Sequence, residues 1–288
     1  MANVLDIRRR IRSVKNTQQI TRAMKMVAAA RLRRAQESVV NARPYADQIM
    51  ALLRSVAARI EHGDEPLHPL LAQRPVKKIL LVLITADRGL AGAFNANLIR
   101  AAQYYLSSHR EQEVVLIAAG RKGRDFFRKR PVGIAAEYTG LFARRVVFTQ
   151  AQELAARMIE LYANATVDAV DFIYNEFKSI MTQRVRVERY LPVKPIEPAH
   201  GEALIDYIYE QPPAEILRGL LPRYLEAETF RAMLESQAAE FAAKMTAMDA
   251  ATNNARELID TYTLNLNRLR QAAITKEIIE IVSGAAAQ

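Results

Sequence analysis

The chain has 288 residues, 50% of them hydrophobic and 25% charged, enough for one large domain or two ordinary ones with a sizeable core. Its 41 Lys and Arg outnumber 31 Asp and Glu, a net charge of +10 that points to an anionic partner. With no Cys, it is excluded from disulfides, thiolate metal sites, iron–sulfur clusters and a cysteine nucleophile.

The chain opens on Met1-Ala-Asn-Val and a block of arginines, so no signal peptide is expected at this start. Val4, Ile7, Ile11 and Val14 then recur at steps of three and four, as on one face of a helix. The stripe weakens through Gln18 and Thr21. It is expected to resume on a shifted line through Ile20, Met24 and Val27, then Leu32 and Val39. No Gly occurs before Gly63, so one long helix is expected, with Pro44 as the place for a bend. His62–Pro75, with three prolines and a glycine, reads as a linker.

The centre alternates short apolar runs with helical patterns. Lys77–Thr85 and Glu113–Ala119 read as strands, followed by the turns Asp87–Gly92 and Gly120–Gly123. Helices are expected over 93–107 and 149–163. Two more strands are expected over Asp168–Asn175 and Gln183–Leu191, the latter alternating as a half-exposed strand does. The order implies a largely parallel sheet with crossover helices. The longest apolar run, Ile79–Ile84, is far short of the roughly 20 residues of a membrane span.

From Pro213 to about Val282 the pattern is close to a strict heptad. One line is Leu234, Phe241, Met248, Ala255, Tyr262 and Leu269. The other is Ala238, Met245, Thr252, Ile259, Leu266 and Ala273. This is a coiled-coil signal, and the N-terminal helix is its simplest partner. The fold expected is α/β with a long antiparallel coiled coil of the two terminal helices around an inserted Rossmann-like domain. The C-terminal stripe is the longer, so the end of that helix should project unpaired.

The charge is unevenly placed. Residues 1–34 hold ten Lys and Arg against one acid, Asp6, a net of +9. Residues 223–288 hold seven against nine, a net of −2. Two readings follow: a solvated helix face, or a surface for a polyanion. A basic nucleic-acid-binding or scaffold coiled coil is one alternative. However, residues 1–44 contain no aromatic to stack on bases, and the partner helix is slightly acidic.

Catalytic signals are weak. Asp87-Arg-Gly-Leu-Ala-Gly92 sits where a phosphate loop would, after a strand and before a helix. It matches neither GxGxxG nor GxxxxGK[ST], and a tight β–α turn is the simpler reading. The four histidines are dispersed, with no HExxH pair. No catalytic, cofactor-binding or metal-ligating residue is assigned.

Ile11–Ala30 (IRSVKNTQQITRAMKMVAAA) and Asn267–Ala285 (NRLRQAAITKEIIEIVSGA), with Thr85–Asn95 and Asp206–Glu210 between them, resemble the gamma subunit of bacterial F-type rotary ATP synthases. Ala86 and Ala91 stand where that family often has Ser and Cys. The resemblance implies a central-stalk rotor without catalytic residues. It would transmit rotation of a membrane c-ring to the beta subunits and so couple proton translocation to ATP synthesis or hydrolysis. Its partners would be the alpha and beta subunits, epsilon and the c-ring, with no nucleic acid. It would lie peripherally on the cytoplasmic face of the bacterial inner membrane. Carried over, Met24 and Lys25 would face beta. Arg270, Gln271 and Thr275, with Glu277, would form a second rotor–stator patch, and Tyr207 and Glu210 would contact the c-ring and epsilon. The organisation implied is an N-terminal coiled-coil helix (1–62), a linker (63–76), the α/β domain and foot (77–205), and a foot segment with the C-terminal coiled-coil helix (206–288).

Overall fold

The computed structural model describes residues 4–58, 68–142, 145–193 and 210–286. The chain divides into two compact units, residues 1–29 with 244–288, and residues 30–243. Helices α1 (Val4–Ala57) and α5 (Pro213–Ala286) contribute to both. Pro44 forfeits one backbone donor within α1, yet the helix runs on through it.

The first unit pairs the start of α1 with the end of α5. The protected positions of α1 are Val4, Ile7, Ile11, Val14, Gln18, Thr21, Lys25 and Ala28, at alternating steps of three and four. Those of α5 are Met245, Met248, Thr252, Ala255, Ile259, Tyr262, Leu266 and Leu269. Both lines are strict heptads. Thr21 bonds Thr252, and Lys25, four residues on, bonds Asp249, three residues back. The helices are therefore antiparallel. At that register Val14 falls opposite Ile259, Ile7 opposite Leu266 and Val4 opposite Leu269.

The expected shift of the α1 stripe fails at Ile20 and Val27, whereas Leu32 and Val39, expected on the same line, are buried. Ile20 and Val27 are 60% and 53% exposed, while Thr21 and Ala28 are buried. The seam keeps its register through polar residues because the Thr21 hydroxyl finds partners there. Following apolar side chains alone led off the seam.

The second unit is built on a five-stranded sheet of order β3-β2-β1-β4-β5. β1 (Lys78–Ile84), β2 (Glu113–Ala119), β3 (Gly133–Tyr138) and β4 (Ala169–Phe177) are parallel, and β5 (Gln183–Leu191) is an antiparallel edge. β1 lies at the centre and is buried from Ile79 to Ile84, hence its continuous apolar run. Helices α2 (Phe94–Ser108), α3 (Arg121–Phe127) and α4 (Phe148–Ala163) complete the α/β domain. Phe94, Leu98 and Ala102 of α2 pack with Ile79, Leu81 and Leu83 of β1, Phe127 of α3 and Ala239 of α5.

Two sequence expectations need correction here. Gly120–Gly123 is not merely a turn, since Gly120 caps α3. β3 was not expected at all; its burial is partial and irregular, so it lacks the alternation of a half-buried strand.

A charged bond ties the sheet at its parallel-to-antiparallel junction. Asp171 of β4, 4% exposed, accepts from Nε and Nη2 of Arg189 of β5, both at 2.9 Å, and from the Tyr105 hydroxyl of α2. Burial, then the bond to Asp171, pushes the Tyr105 phenol well above its ordinary value. Along α5, residues 232–242 are buried without interruption, so this stretch is enclosed on every side within the unit.

Candidate functional site

In a Rossmann-like sheet, ligands bind beyond the carboxyl ends of the strands, where the strand order reverses. That edge is occupied here by the chain's own carboxylate. Asp87, three residues past β1, is 8% exposed. Its Oδ1 accepts from the backbone N–H of Arg121 (3.1 Å) and of Gly140 (2.9 Å), and its Oδ2 accepts from Phe142 (3.0 Å). The Thr85 hydroxyl oxygen accepts from the Gly123 N–H at 2.9 Å, and the Asn95 side chain accepts from the Ala86 N–H at 3.0 Å. Three loops thus close around one internal anion. The amides a phosphate would use, including that of Arg121 at the start of α3, are already engaged. Gly120 enables this closure. Its φ is +115°, and a Cβ there would meet the Thr85 carbonyl oxygen at 2.0 Å. The tight-turn reading of Asp87–Gly92 stands, and the role of Asp87 was not foreseen. The sequence clue was an Asp just past a buried strand, a residue type that readily bonds turn amides.

The other candidate surface is the end of α5. From Arg270 to Ser283 every residue is exposed, including Ile274 (47%), Ile278 (55%), Ile279 (58%), Ile281 (71%) and Val282 (62%). Ala273, expected on the seam, is exposed with them. The line of α1 ends opposite Leu269, so no described residue covers the helix beyond it. The projecting end expected from the unequal stripes is therefore present.

Arg270, Gln271, Thr275 and Glu277 all lie on this exposed stretch, and among the described residues Arg270 and Glu277 make no ion pair. The neighbouring Lys276 reaches Glu280 at 3.5 Å. Met24 and Lys25 lie together on α1, both half-buried, well separated in sequence from that stretch. Lys25 donates to Asp249 at 2.6 Å, with side chains 41% and 47% exposed. Glu210 is exposed just before α5, and Tyr207 lies outside the described residues. The exposed apolar side chains around the expected polar residues were not singled out beforehand. Their signal was an isoleucine-rich run, Ile274 to Ile281, lying past the last seam position.

Among the described residues no His, Asp or Glu cluster suits a metal ion, and no helix is long and apolar enough to cross a membrane.

A family model described as ATP synthase matches residues 3–288. The ATP synthase gamma chain of Solibacter usitatus is 53% identical over 288 residues, covering 100% of this chain and 99% of its own length. The chain belongs to the ATP synthase gamma-chain family. The gamma chain of Moorella thermoacetica is 52% identical over 286 residues, covering 99% of each. A chain of the Tetrahymena thermophila mitochondrial ATP synthase central stalk and c-ring structure is 25% identical. It aligns with a TM-score of 0.61 over 81% of this chain and 99% of its own. A chain of the Euglena gracilis mitochondrial ATP synthase rotor, 18% identical, shares the fold with a TM-score of 0.64 over 94% and 98%.

Membership settles the class of function. This gamma chain is a non-catalytic, central-stalk component of ATP synthase, and its contribution is mechanical. The nucleic-acid and scaffold alternatives fall away.

Proposed function

We propose that this chain is the shaft of a bacterial rotary ATP synthase, turned by a c-ring and turning within a ring of alpha and beta subunits. In that reading it lies on the cytoplasmic face of the inner membrane, held there only through its partners. Epsilon and the c-ring meet the foot around Tyr207 and Glu210. Met24 and Lys25 face beta, and Arg270, Gln271, Thr275 and Glu277 form a second contact patch near the tip. The chain is then organised as helix (1–62), linker (63–76), α/β domain and foot (77–205), and foot segment with helix (206–288).

The observation that carries the reading is the bare end of α5. An exposed row of isoleucines is costly in water and needs a surrounding surface. Apolar contacts are non-directional, so such a tip turns in a sleeve without being held at one angle. The Lys25–Asp249 pair has a matching property. Exposed ion pairs are worth about 0–1 kcal/mol, so Lys25 exchanges partners at little cost as the shaft passes successive stations.

The test is a mass spectrum of the native complex purified through this chain. Alpha, beta, epsilon and c subunits are expected together with it. Recovery of the chain alone, or bound to DNA, overturns the proposal. Met24→Lys tests the site assignment, because a second cation beside Lys25 strengthens attraction to an acidic stator surface. Protons pumped per ATP should fall more than the hydrolysis rate does. An unchanged ratio removes Met24 from the contact.

A further inference from the structure

A cleft of about 550 Å³ in the second unit is lined by residues of neither surface described above. Arg31 and Arg34, one turn apart on α1, line it together with Arg145, which precedes α4. Asn41 of α1 and Phe241 of α5 complete the part of the wall that matters here. The Arg31 guanidinium lies 5.9 Å from the centre of the Phe241 ring, at the outer limit of a cation–π contact.

The charge balance of this cleft is positive. Among the described residues, none of the three arginines makes an ion pair. The carboxylate on the wall, Glu37, is 3.5 Å from a fourth arginine, Arg33. Arginines that serve only the fold are commonly paired, as Arg189 is with Asp171 and Arg231 with Glu228. Three guanidiniums in one concavity repel one another, and a concave wall of one sign concentrates the field in the space it encloses. An anion with several oxygens relieves that repulsion, and guanidinium forks match such oxygens in pairs. The volume lies within the range of small-molecule sites and far exceeds what one carboxylate needs.

We propose that the cleft binds an oligophosphate, the charged portion of a nucleotide or of inorganic polyphosphate, through Arg31, Arg34 and Arg145. Asn41 supplies a neutral donor at the wall. The site is distinct from the Asp87 clasp, and its occupancy does not depend on the rotor reading.

The full-length chain is titrated with inorganic tripolyphosphate in an isothermal calorimeter at fixed low salt. Saturable one-to-one binding is expected. Arg34→Gln and Arg145→Gln should each weaken it about tenfold, equivalent to about 1.4 kcal/mol, the order of one charge-assisted hydrogen bond. Arg9→Gln, which alters an exposed arginine of the first unit, is the control and should leave it unchanged. Both cleft residues are exposed, so these variants fold. Binding that fails to saturate, or that falls equally in the Arg9 variant, overturns the proposal. So does saturable binding of a hexaglutamate peptide with none of tripolyphosphate, which assigns the cleft to an acidic protein segment instead.

Discussion

Thr252 donates its hydroxyl proton to Thr21 Oγ1, 2.8 Å away, across the seam of α1 and α5. Thr21 passes its own proton to the Gln18 carbonyl at 3.0 Å. The Met248 carbonyl, 2.7 Å from Thr252 Oγ1, is a second acceptor one turn back. Each hydroxyl therefore keeps a carbonyl if the other is removed. Thr21→Val and Thr252→Val should each cost less than about 1 kcal/mol, and the double variant should be no worse than either. Urea unfolding of the full chain measures this. A loss above about 2 kcal/mol in a single variant would show that the pair is an indispensable polar link.

Removing the Asp87 clasp should be far more damaging. Asp87→Ala strands three buried or half-buried amides at once and should cost about 3 kcal/mol or more. Asp87→Asn keeps one carbonyl oxygen, enough for Arg121 and Gly140, and should cost clearly less. Thermal melts followed by circular dichroism separate the two, and equal losses would argue that charge rather than acceptor count matters.

Three glycines should respond differently to alanine, two by losing stability and one by gaining it. Gly120→Ala meets the Thr85 carbonyl and should cost more than about 4 kcal/mol or abolish soluble expression. Gly140→Ala, with φ +83° and open space around it, should cost only about 1–2 kcal/mol. Gly219→Ala, in an exposed turn of α5 with nothing nearby, should stabilise by about 0.5–1 kcal/mol. Melting temperatures of the three variants should rise in that order.

Asp168 links stability to acid. Its Oδ2 accepts from the backbone N–H groups of Lys78 (2.9 Å) and Lys77 (3.0 Å), which hold its carboxyl below the ordinary range. A lowered folded-state value means that the unfolded chain binds the proton more readily. The added stability is therefore present above about pH 3.9 and is lost as the pH falls through the lower folded value. Asp168→Asn should be less stable than the parent at pH 7, with the gap narrowing below pH 4. Denaturation curves at both pH values test this, and a constant gap would remove the linkage.

Much of this was legible in the residues. β2 and β5 fall where Glu113–Ala119 and Gln183–Leu191 place them, because a buried run and a clean alternation are strong local patterns. The α5 heptads mark a real seam as far as Leu269. What was lost depended on partners distant in sequence. β3 is a strand because β2 offers it an edge, not because Gly133–Tyr138 has a pattern of its own. Gln18 and Thr21 look like a break in a stripe until Thr252 is placed opposite. Asp87 looks like one polar residue in a turn until Arg121, Gly140 and Phe142 arrive from two other loops. The exposed end of α5 was legible because it is a mismatch between two stripe lengths.

A seam repeating every seven residues on both helices makes the pair wind left-handedly. Such a coil differs from its mirror image, so torque in one sense tightens the winding and torque in the other loosens it. A shaft of this kind is stiffer in one direction of twist.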